Sequence, residues 1–307
     1  MKLLKKLNAA EVVTLVYIVI TTGMVIYYWD GLADPMAMIG LRIAAIAVMI
    51  ATIAISRLIP VRWIGDMLRI LPWIVMMIWW YPENYDFCSQ LPYKDHLFAQ
   101  MDQDLFGCQP SMEFSKLLPQ KMWSELICMG YYSYYLVMAA VLIFFVVLRK
   151  AELNKAAFVF YTSFFLFYFI YQFLPVAGPC FYFNIPGALH GFPDVGYYFK
   201  EHTEMMPLGM DGFFASLVQS AHDIGERPTA AFPSSHVGMG TISMLLAIKS
   251  RNKYLVCGLL PFYILLCMGT VYIRAHYLVD SIAGFFTAIV FFFLTSALYN
   301  LLKYNRL

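Results

Sequence analysis

Long apolar runs alternate with shorter polar segments along most of this chain. A helix needs about 20 mainly apolar residues to cross a bilayer, and eight runs approach that length. They cover residues 12–29, 35–56, 63–81, 127–148, 156–174, 236–248, 254–273 and 281–302. The pattern predicts an all-α, polytopic membrane bundle of about eight transmembrane helices.

Two polar segments are much longer than the others. Residues 82–126 separate the third predicted span from the fourth, and residues 175–235, rich in glycine, proline and aromatic side chains, separate the fifth from the sixth. We divide the chain after the fourth span. This gives an N-terminal membrane-spanning region of four helices, residues 1–150, and a second region of four helices, residues 151–307.

Lysines and arginines gather in the short connections and at the chain ends. They are Lys2, Lys5, Lys6, Arg57, Arg62, Arg149, Lys150, Lys155, Lys249, Arg251, Lys253, Lys303 and Arg306. Such residues mark the cytoplasmic side of a membrane protein. With eight spans all of them fall on one side, so we expect both termini in the cytoplasm. The two long polar segments then lie on the outer, periplasmic or lumenal face.

Composition supports the membrane assignment and excludes one class of partner. Hydrophobic residues make up 61% of the chain and charged residues 13%, whereas a soluble domain is about one quarter charged. The net charge of +2 is too small to indicate nucleic acid. A disulfide between Cys88 and Cys108 and a pair of free thiols both remain open. Arg42, a charge inside the second span, either pairs across the bundle or contacts a headgroup.

His276 is the candidate nucleophile. It precedes Asp280 by four residues, so on a helix the two side chains share one face. A carboxylate in that position accepts one imidazole N–H and leaves the other ring nitrogen free to attack. A lone histidine at a span end is commonly structural, but its pairing with Asp280 favours a catalytic role.

His236 is the candidate general acid. It follows Pro-Ser-Ser at a predicted helix start, with Ser234 or Ser235 as cap. Free N–H groups at such a start bind phosphate, so both serines are candidate substrate-binding residues. Arg227 and Arg274 add permanent positive charges suited to phosphate oxygens. The alternatives for these arginines are an ion pair within the loop and a charge that snorkels to the interface.

These residues resemble a known family. Pro-Ser-Ser-His236 followed by Arg274-Ala-His-Tyr-x-x-Asp280 is similar to the motif pair of the type 2 phosphatidic acid phosphatase superfamily. The His-Tyr-x-x-Asp form, and Ala-Ala-Phe-Pro-Ser before His236, look most like its inositol phosphorylceramide synthase branch. The resemblance implies that residues 151–307 form a catalytic membrane core like that of the superfamily. It also implies that His276 attacks phosphorus to give a phosphohistidine.

The chain departs from the superfamily pattern among the residues expected to hold phosphate. Its only Arg-Pro pair begins at Arg227 and has no lysine seven residues upstream. Cys180 stands where the branch has the arginine of a Gly-Pro-Arg-Tyr-like segment. Thr270 lies six residues before His276, so the superfamily's Ser-Arg-x5-His form is not present.

The preferred interpretation is an enzyme that transfers a phosphorylated headgroup from a membrane phospholipid to a lipid alcohol acceptor. The alternative is hydrolysis of phosphatidic acid, phosphatidylglycerophosphate or a polyprenyl phosphate. A membrane transporter is the alternative from another class. Transporters typically contain internal repeats or helices broken at mid-membrane, and this sequence has no convincing repeat. We expect no cofactor. We also expect no metal, because one held by His236, His276 and Asp280 would lie beside two arginines that repel a cation.

Overall fold

The computed structural model describes residues 7–185, 198–200, 204–207 and 209–304, and within these ranges it contains helices and no β-strand. The α-helices, in chain order, are α1 (Ala9–Tyr27), α2 (Pro35–Ser56), α3 (Arg62–Trp80), α4 (Glu83–Cys88), α5 (Asp95–Phe106), α6 (Pro110–Leu117), α7 (Lys121–Tyr132), α8 (Tyr134–Leu148), α9 (Leu153–Phe173), α10 (Phe213–Gly225), α11 (Ser235–Lys249), α12 (Lys253–Tyr272) and α13 (Leu278–Tyr304). The predicted all-α class is therefore confirmed.

Several helices begin at side chains that satisfy free backbone N–H groups. Asn8 and Glu11 form a reciprocal capping box at the start of α1, the arrangement expected where a helix follows a polar residue. Asp34 caps α2, whose first residue is proline, and Asn252 caps α12. These caps fix the starts of helices whose apolar lengths the sequence already predicted.

Five helices are long and apolar enough to cross a membrane: α1, α2, α9, α12 and α13. The pair α7–α8, bent by 43°, adds a sixth if it counts as one span. The predicted α3 and α11 spans fall outside this group; α11 has 15 residues, about 22 Å of helix. A membrane helical bundle is therefore confirmed, whereas the count of eight spans is not.

The predicted basic ends of the helices meet at one end of the bundle. Three side-chain contacts join them: Glu11 with Arg69, Asp66 with Asn154, and Lys155 with Asn300. Asn8 and Lys303 line the same cavity, so the first and last described helices share this end. Because α13 runs 27 residues onward from Leu278, the residues just before it lie at the opposite end.

The long polar segments are more ordered than the sequence predicted. Residues 82–126 contain α4, α5, α6 and the start of α7, and the connection 175–235 contains α10 and a 3-10 helix, Pro179–Asn184. Within this connection, residues 186–197, 201–203 and 208 lie outside the described ranges.

Two open questions from the sequence have structural answers. Arg42 pairs across the bundle: its guanidinium donates to both carboxylate oxygens of Glu83, at 3.0 and 2.8 Å, and both side chains are buried. Cys88 and Cys108 are free thiols. The sulfur of Cys88 lies 3.0 Å from the Thr229 hydroxyl instead.

The two predicted regions pack together. One large apolar cluster contains side chains from α1 to α13, and Glu125 of α7 accepts the N–H groups of Phe214 and Ala215 at the start of α10. The division after residue 150 stays a prediction.

Candidate active site

The N-terminus of α11 and the turn between α12 and α13 lie against each other. The N–H of Ser234 donates to the carbonyl of Asp280 at 3.0 Å. Gly284, one turn further along α13, permits this approach, since a Cβ there would lie 2.4 Å from the Ser234 carbonyl oxygen. The two predicted motifs, about 40 residues apart in sequence, therefore form one site.

His276 lies in the turn that precedes α13. The spacing from Asp280 had predicted that it lies on the helix itself. Its Nδ1 is 2.8 Å from the carbonyl oxygen of Ala231. A carbonyl only accepts hydrogen bonds, so Nδ1 carries the proton and Nε2 has a free lone pair. The side chain is 3% exposed, and burial, with the nearby His236 imidazole, lowers the pKa of His276 to about 3. The ring is therefore neutral near pH 7.

The contact between Asp280 and the His276 imidazole is less direct than the sequence predicted. Its Oδ2 lies 3.8 Å from Nδ1 of His276, a distance longer than a hydrogen bond, and the two groups form an ion pair only when the ring is protonated. The same oxygen accepts the backbone N–H of Tyr277 at 2.9 Å. Within the described part of the chain its Oδ1 is buried without a hydrogen-bond partner. The Ala231 carbonyl, which the sequence did not identify, takes the expected place of the carboxylate.

His236 is the second residue of α11, and Ser234 is the N-cap, as predicted: its hydroxyl accepts the N–H of Val237. Nδ1 of His236 lies 3.4 Å from Nε2 of His276. Because Nε2 is unprotonated, His236 is the donor in this contact. The His236 ring stacks on Tyr131 at 4.8 Å between centroids and lies 4.6 Å from Tyr134, which restrict its rotation.

A second titratable pair lies beside the histidines. Glu226 accepts from the Tyr131 hydroxyl at 3.3 Å, and its other oxygen is 2.9 Å from Nδ1 of His222 in an ion-pair contact that lacks hydrogen-bond alignment. The Glu226 carboxylate also acts electrostatically on His236 and His276. Neither Glu226 nor His222 was predicted to belong to the site from the sequence. Their four-residue spacing just upstream of the first motif was the available signal.

The two arginines differ in their surroundings. Arg274 is 4% exposed, its Nη1 donates to the carbonyl of Glu204 at 3.0 Å, and its Nε is buried without a hydrogen-bond partner in the described ranges. Arg227 is exposed, and it interacts electrostatically with Asp86 of α4. Ser235, the first residue of α11, is 7% exposed. Neither arginine has a contact with His236 or His276 among those described, so their phosphate-binding roles stay predictions.

This arrangement brings together a free imidazole nitrogen and a second imidazole that can donate a proton. These are the two functions that nucleophilic displacement requires. Among the described residues, no group of three or more His, Cys, Asp or Glu side chains is arranged to hold a metal ion.

Comparison with known proteins gave one positive result. A family model described as the PAP2 superfamily matches residues 97–294, which is more than half of the chain and includes every predicted site residue. The match begins before residue 151, at α5, and does not distinguish branches of the superfamily. Searches of curated proteins and of solved structures found no significant match.

Proposed function

Because the chain belongs to the PAP2 superfamily, we propose that it is a lipid phosphotransferase in which His276 is the nucleophile and His236 the general acid. Membership of the superfamily indicates lipid phosphatase or phosphotransferase activity. The observation that carries the more specific proposal is the 3.4 Å contact between Nε2 of His276 and Nδ1 of His236. It pairs a free lone pair with a proton donor at a buried helix start.

In the first proposed step, a phospholipid phosphate displaces this contact and Nε2 of His276 attacks phosphorus. The bond between phosphorus and the glycerol oxygen breaks, and His236, which enters this step as an imidazolium protonated on both ring nitrogens, donates one proton to that oxygen and becomes neutral. The products are diacylglycerol and a phosphorylated headgroup held on Nε2. A positive charge develops on the ring, and the Asp280 carboxylate, 3.8 Å from Nδ1, stabilises it.

In the second step, an acceptor hydroxyl gives its proton to His236 while its oxygen attacks phosphorus, and the P–N bond breaks. A lipid alcohol as acceptor gives a new phospholipid or phosphosphingolipid. Water as acceptor gives a soluble headgroup phosphate, the outcome of a phosphatase. The Tyr131 and Tyr134 rings that enclose His236 support transfer, because an apolar surrounding limits access of water.

Three groups are proposed to bind the phosphate. The N–H groups at the start of α11, capped by Ser234 and including Ser235, face the histidine side and favour an anion. The buried Nε of Arg274 lacks a partner among the described residues, as a donor awaiting a phosphate oxygen would. Arg227 is exposed, so it is proposed to contact the phosphate only where the substrate enters the site.

The site is proposed to face the outer side of the membrane. The helix ends that carry most lysines and arginines meet at the other end of the bundle, and such ends are cytoplasmic in membrane proteins. A phospholipid of the outer leaflet could reach His236 without withdrawing its tails from the bilayer.

A partition experiment tests this function. Purified protein is incubated with headgroup-labelled phosphatidylinositol, phosphatidylcholine or phosphatidic acid, with increasing ceramide or diacylglycerol, and labelled lipid is measured against soluble label. We expect lipid product to rise while soluble product falls, since both come from one intermediate. Soluble release that no acceptor affects would support a phosphatase instead. Turnover retained by His276→Ala would overturn the proposed nucleophile.

A further inference from the structure

The turn that carries His276 is not held by its own helices alone. It spans residues 273–277. Arg274 within it has a φ of 66°, a backbone conformation that is strained for residues other than glycine. The first N–H groups of α13 have no partners within that helix. Asp280 accepts the N–H of Tyr277, the residue before the helix, and the N–H groups of Asp280 and Ser281 donate to the Tyr277 carbonyl. The others need acceptors from elsewhere in the protein.

Asp102 supplies two of these acceptors from α5. Its Oδ2 accepts the N–H of Leu278 at 2.9 Å and its Oδ1 accepts the N–H of Val279 at 3.0 Å. The side chain is fully buried. A carboxylate at a helix N-terminus forms charge-assisted hydrogen bonds and interacts favourably with the helix dipole. A helix distant in sequence therefore caps α13.

Asp95, two turns earlier on α5, holds the other side of the turn. It accepts the N–H groups of Ala177 and Gly178, at 2.9 and 2.8 Å, and the Tyr277 hydroxyl at 3.0 Å. Tyr277 is the residue after His276. Gly178 lies directly on the turn, since a Cβ there would be 2.6 Å from the Ala275 carbonyl oxygen. The same carboxylate thus connects α5, the 175–178 segment and the residue that adjoins His276.

Both carboxylates lie on the buried face of α5. Removing a charge from water is costly unless several hydrogen bonds compensate, and here each carboxylate has at least two backbone N–H partners. Apolar packing alone would not require charged side chains at these positions. The bonds instead fix the position of the backbone that follows His276 and of the 175–178 segment that packs against the turn.

We propose that Asp95 and Asp102 are positioning residues for the phosphoryl transfer, holding the His276 turn against α5 in the geometry that attack on phosphorus requires. This inference rests on the proposed function. Neither carboxylate touches the reacting atoms. Their effect is on the placement of Nε2, and a displacement of about 1 Å can lower a rate about 100-fold.

The test uses Asp102→Asn, Asp102→Ala and Tyr277→Phe, with Asp104→Asn as the matched control. Asp104 is an exposed carboxylate on the same helix, bonded to Gln100. Each purified variant is compared with wild type in kcat, KM and thermal unfolding, with the donor that wild type uses best. Tyr277→Phe removes a single hydroxyl, so it keeps the test informative if Asp102→Ala does not fold.

We expect kcat to fall about 10-fold in Asp102→Asn, which retains one acceptor, and about 100-fold in Asp102→Ala, with KM within about twofold of wild type. Tyr277→Phe should lower kcat severalfold, and Asp104→Asn should not change it. Wild-type kcat in folded Asp102→Asn and Tyr277→Phe would overturn the positioning role while leaving the phosphotransferase proposal intact. That proposal fails separately if His276→Ala stays active.

Discussion

The imidazole of His276 takes its tautomer from a backbone carbonyl. Ala231 lies two residues before the cis-linked Pro233 that leads into α11, so the backbone leading into the helix that presents His236 also orients His276. A backbone acceptor cannot be removed by a side-chain substitution. His236 and His276 are therefore coupled through the main chain as well as through their 3.4 Å contact.

This geometry changes what is expected of Asp280→Asn. The substitution removes the negative charge that we propose stabilises a cationic phosphohistidine, but the Ala231 carbonyl still holds Nδ1 in its protonated form. We expect kcat to fall about 10- to 100-fold, less than the roughly 10⁴-fold loss that accompanies a wrong tautomer in a serine protease. Single-turnover rates with saturating donor measure this.

The control for Asp280→Asn is Asp223→Asn, which alters an exposed carboxylate on α10 and should retain wild-type turnover. A loss near 10⁴-fold in folded Asp280→Asn would contradict the assignment of the tautomer to Ala231. The Asp280 carboxylate would then be the group that fixes the tautomer of His276, as the sequence predicted.

Individual residues were predicted from sequence when their chemistry depended on local spacing. His236 with its Ser234 cap follows from the Pro-Ser-Ser-His pattern alone, because capping is a contact between near neighbours. The Ala231 carbonyl, Glu226 and the flanking Tyr131 could not be found this way. A carbonyl carries no sequence signal, and the Tyr131 contact joins residues 95 positions apart.

At the scale of helices, the site depends on how closely α11 and α13 approach. Gly284 of α13 faces the Ser234 carbonyl, and a Cβ there would be 2.4 Å away. Real atoms cannot adopt that distance, so alanine at this position must push the helices apart. The displacement would separate His236 from His276 and break the bond between the Ser234 N–H and the Asp280 carbonyl.

We therefore expect Gly284→Ala to destabilise the protein by about 1–3 kcal/mol through overpacking and to lower kcat more than it raises KM. Thermal unfolding in detergent and steady-state kinetics measure both effects. Gly258→Ala is the matched control, since Gly258 is exposed on α12 with no neighbouring atom within 4 Å. Equal stability and activity of the two variants would show that α11 and α13 are less tightly packed than this structure has them.

Helices were predictable where apolar length alone determines them. The runs that became α1, α2, α9, α12 and α13 are long enough to identify without knowledge of their neighbours. The segment 82–126 was not, because α4, α5 and α6 are short and take their stability from contacts with the rest of the protein. Asp95 and Asp102 are polar residues in such a segment, and polarity there resembles an ordinary solvated loop.

At the scale of the whole molecule, residues 94–131 join the predicted N-terminal region to the predicted C-terminal region. Lys94 donates its N–H to the Pro175 carbonyl, Glu125 caps α10, and the Tyr272 hydroxyl donates to the Leu118 carbonyl. The family match that begins at residue 97 includes most of this segment. We expect that a fragment beginning at residue 151 would lose the acceptors that hold the His276 turn.

Orientation in the membrane is the remaining property of the whole molecule, and it determines which leaflet supplies the substrate. The connection between α2 and α3 belongs to the basic end of the bundle, whereas α10 lies beside the histidines at the other end. We expect a cysteine at Asp223 to react from outside intact cells with a membrane-impermeant thiol reagent. A cysteine at Arg57 should react only after permeabilisation. Both positions are exposed, so reactivity reports location, not burial.

The labelling uses a background in which the native thiols that are not buried, Cys108, Cys257 and Cys267, are replaced by serine, with activity confirmed before labelling. Basic residues near span ends remain on the cytoplasmic side, and the arginines and lysines of the short connections and chain ends predict the same direction. Labelling of Arg57→Cys, and not of Asp223→Cys, in intact cells would reverse the orientation. The enzyme would then draw its phospholipid from the cytoplasmic leaflet, and its acceptor would have to be a lipid present there.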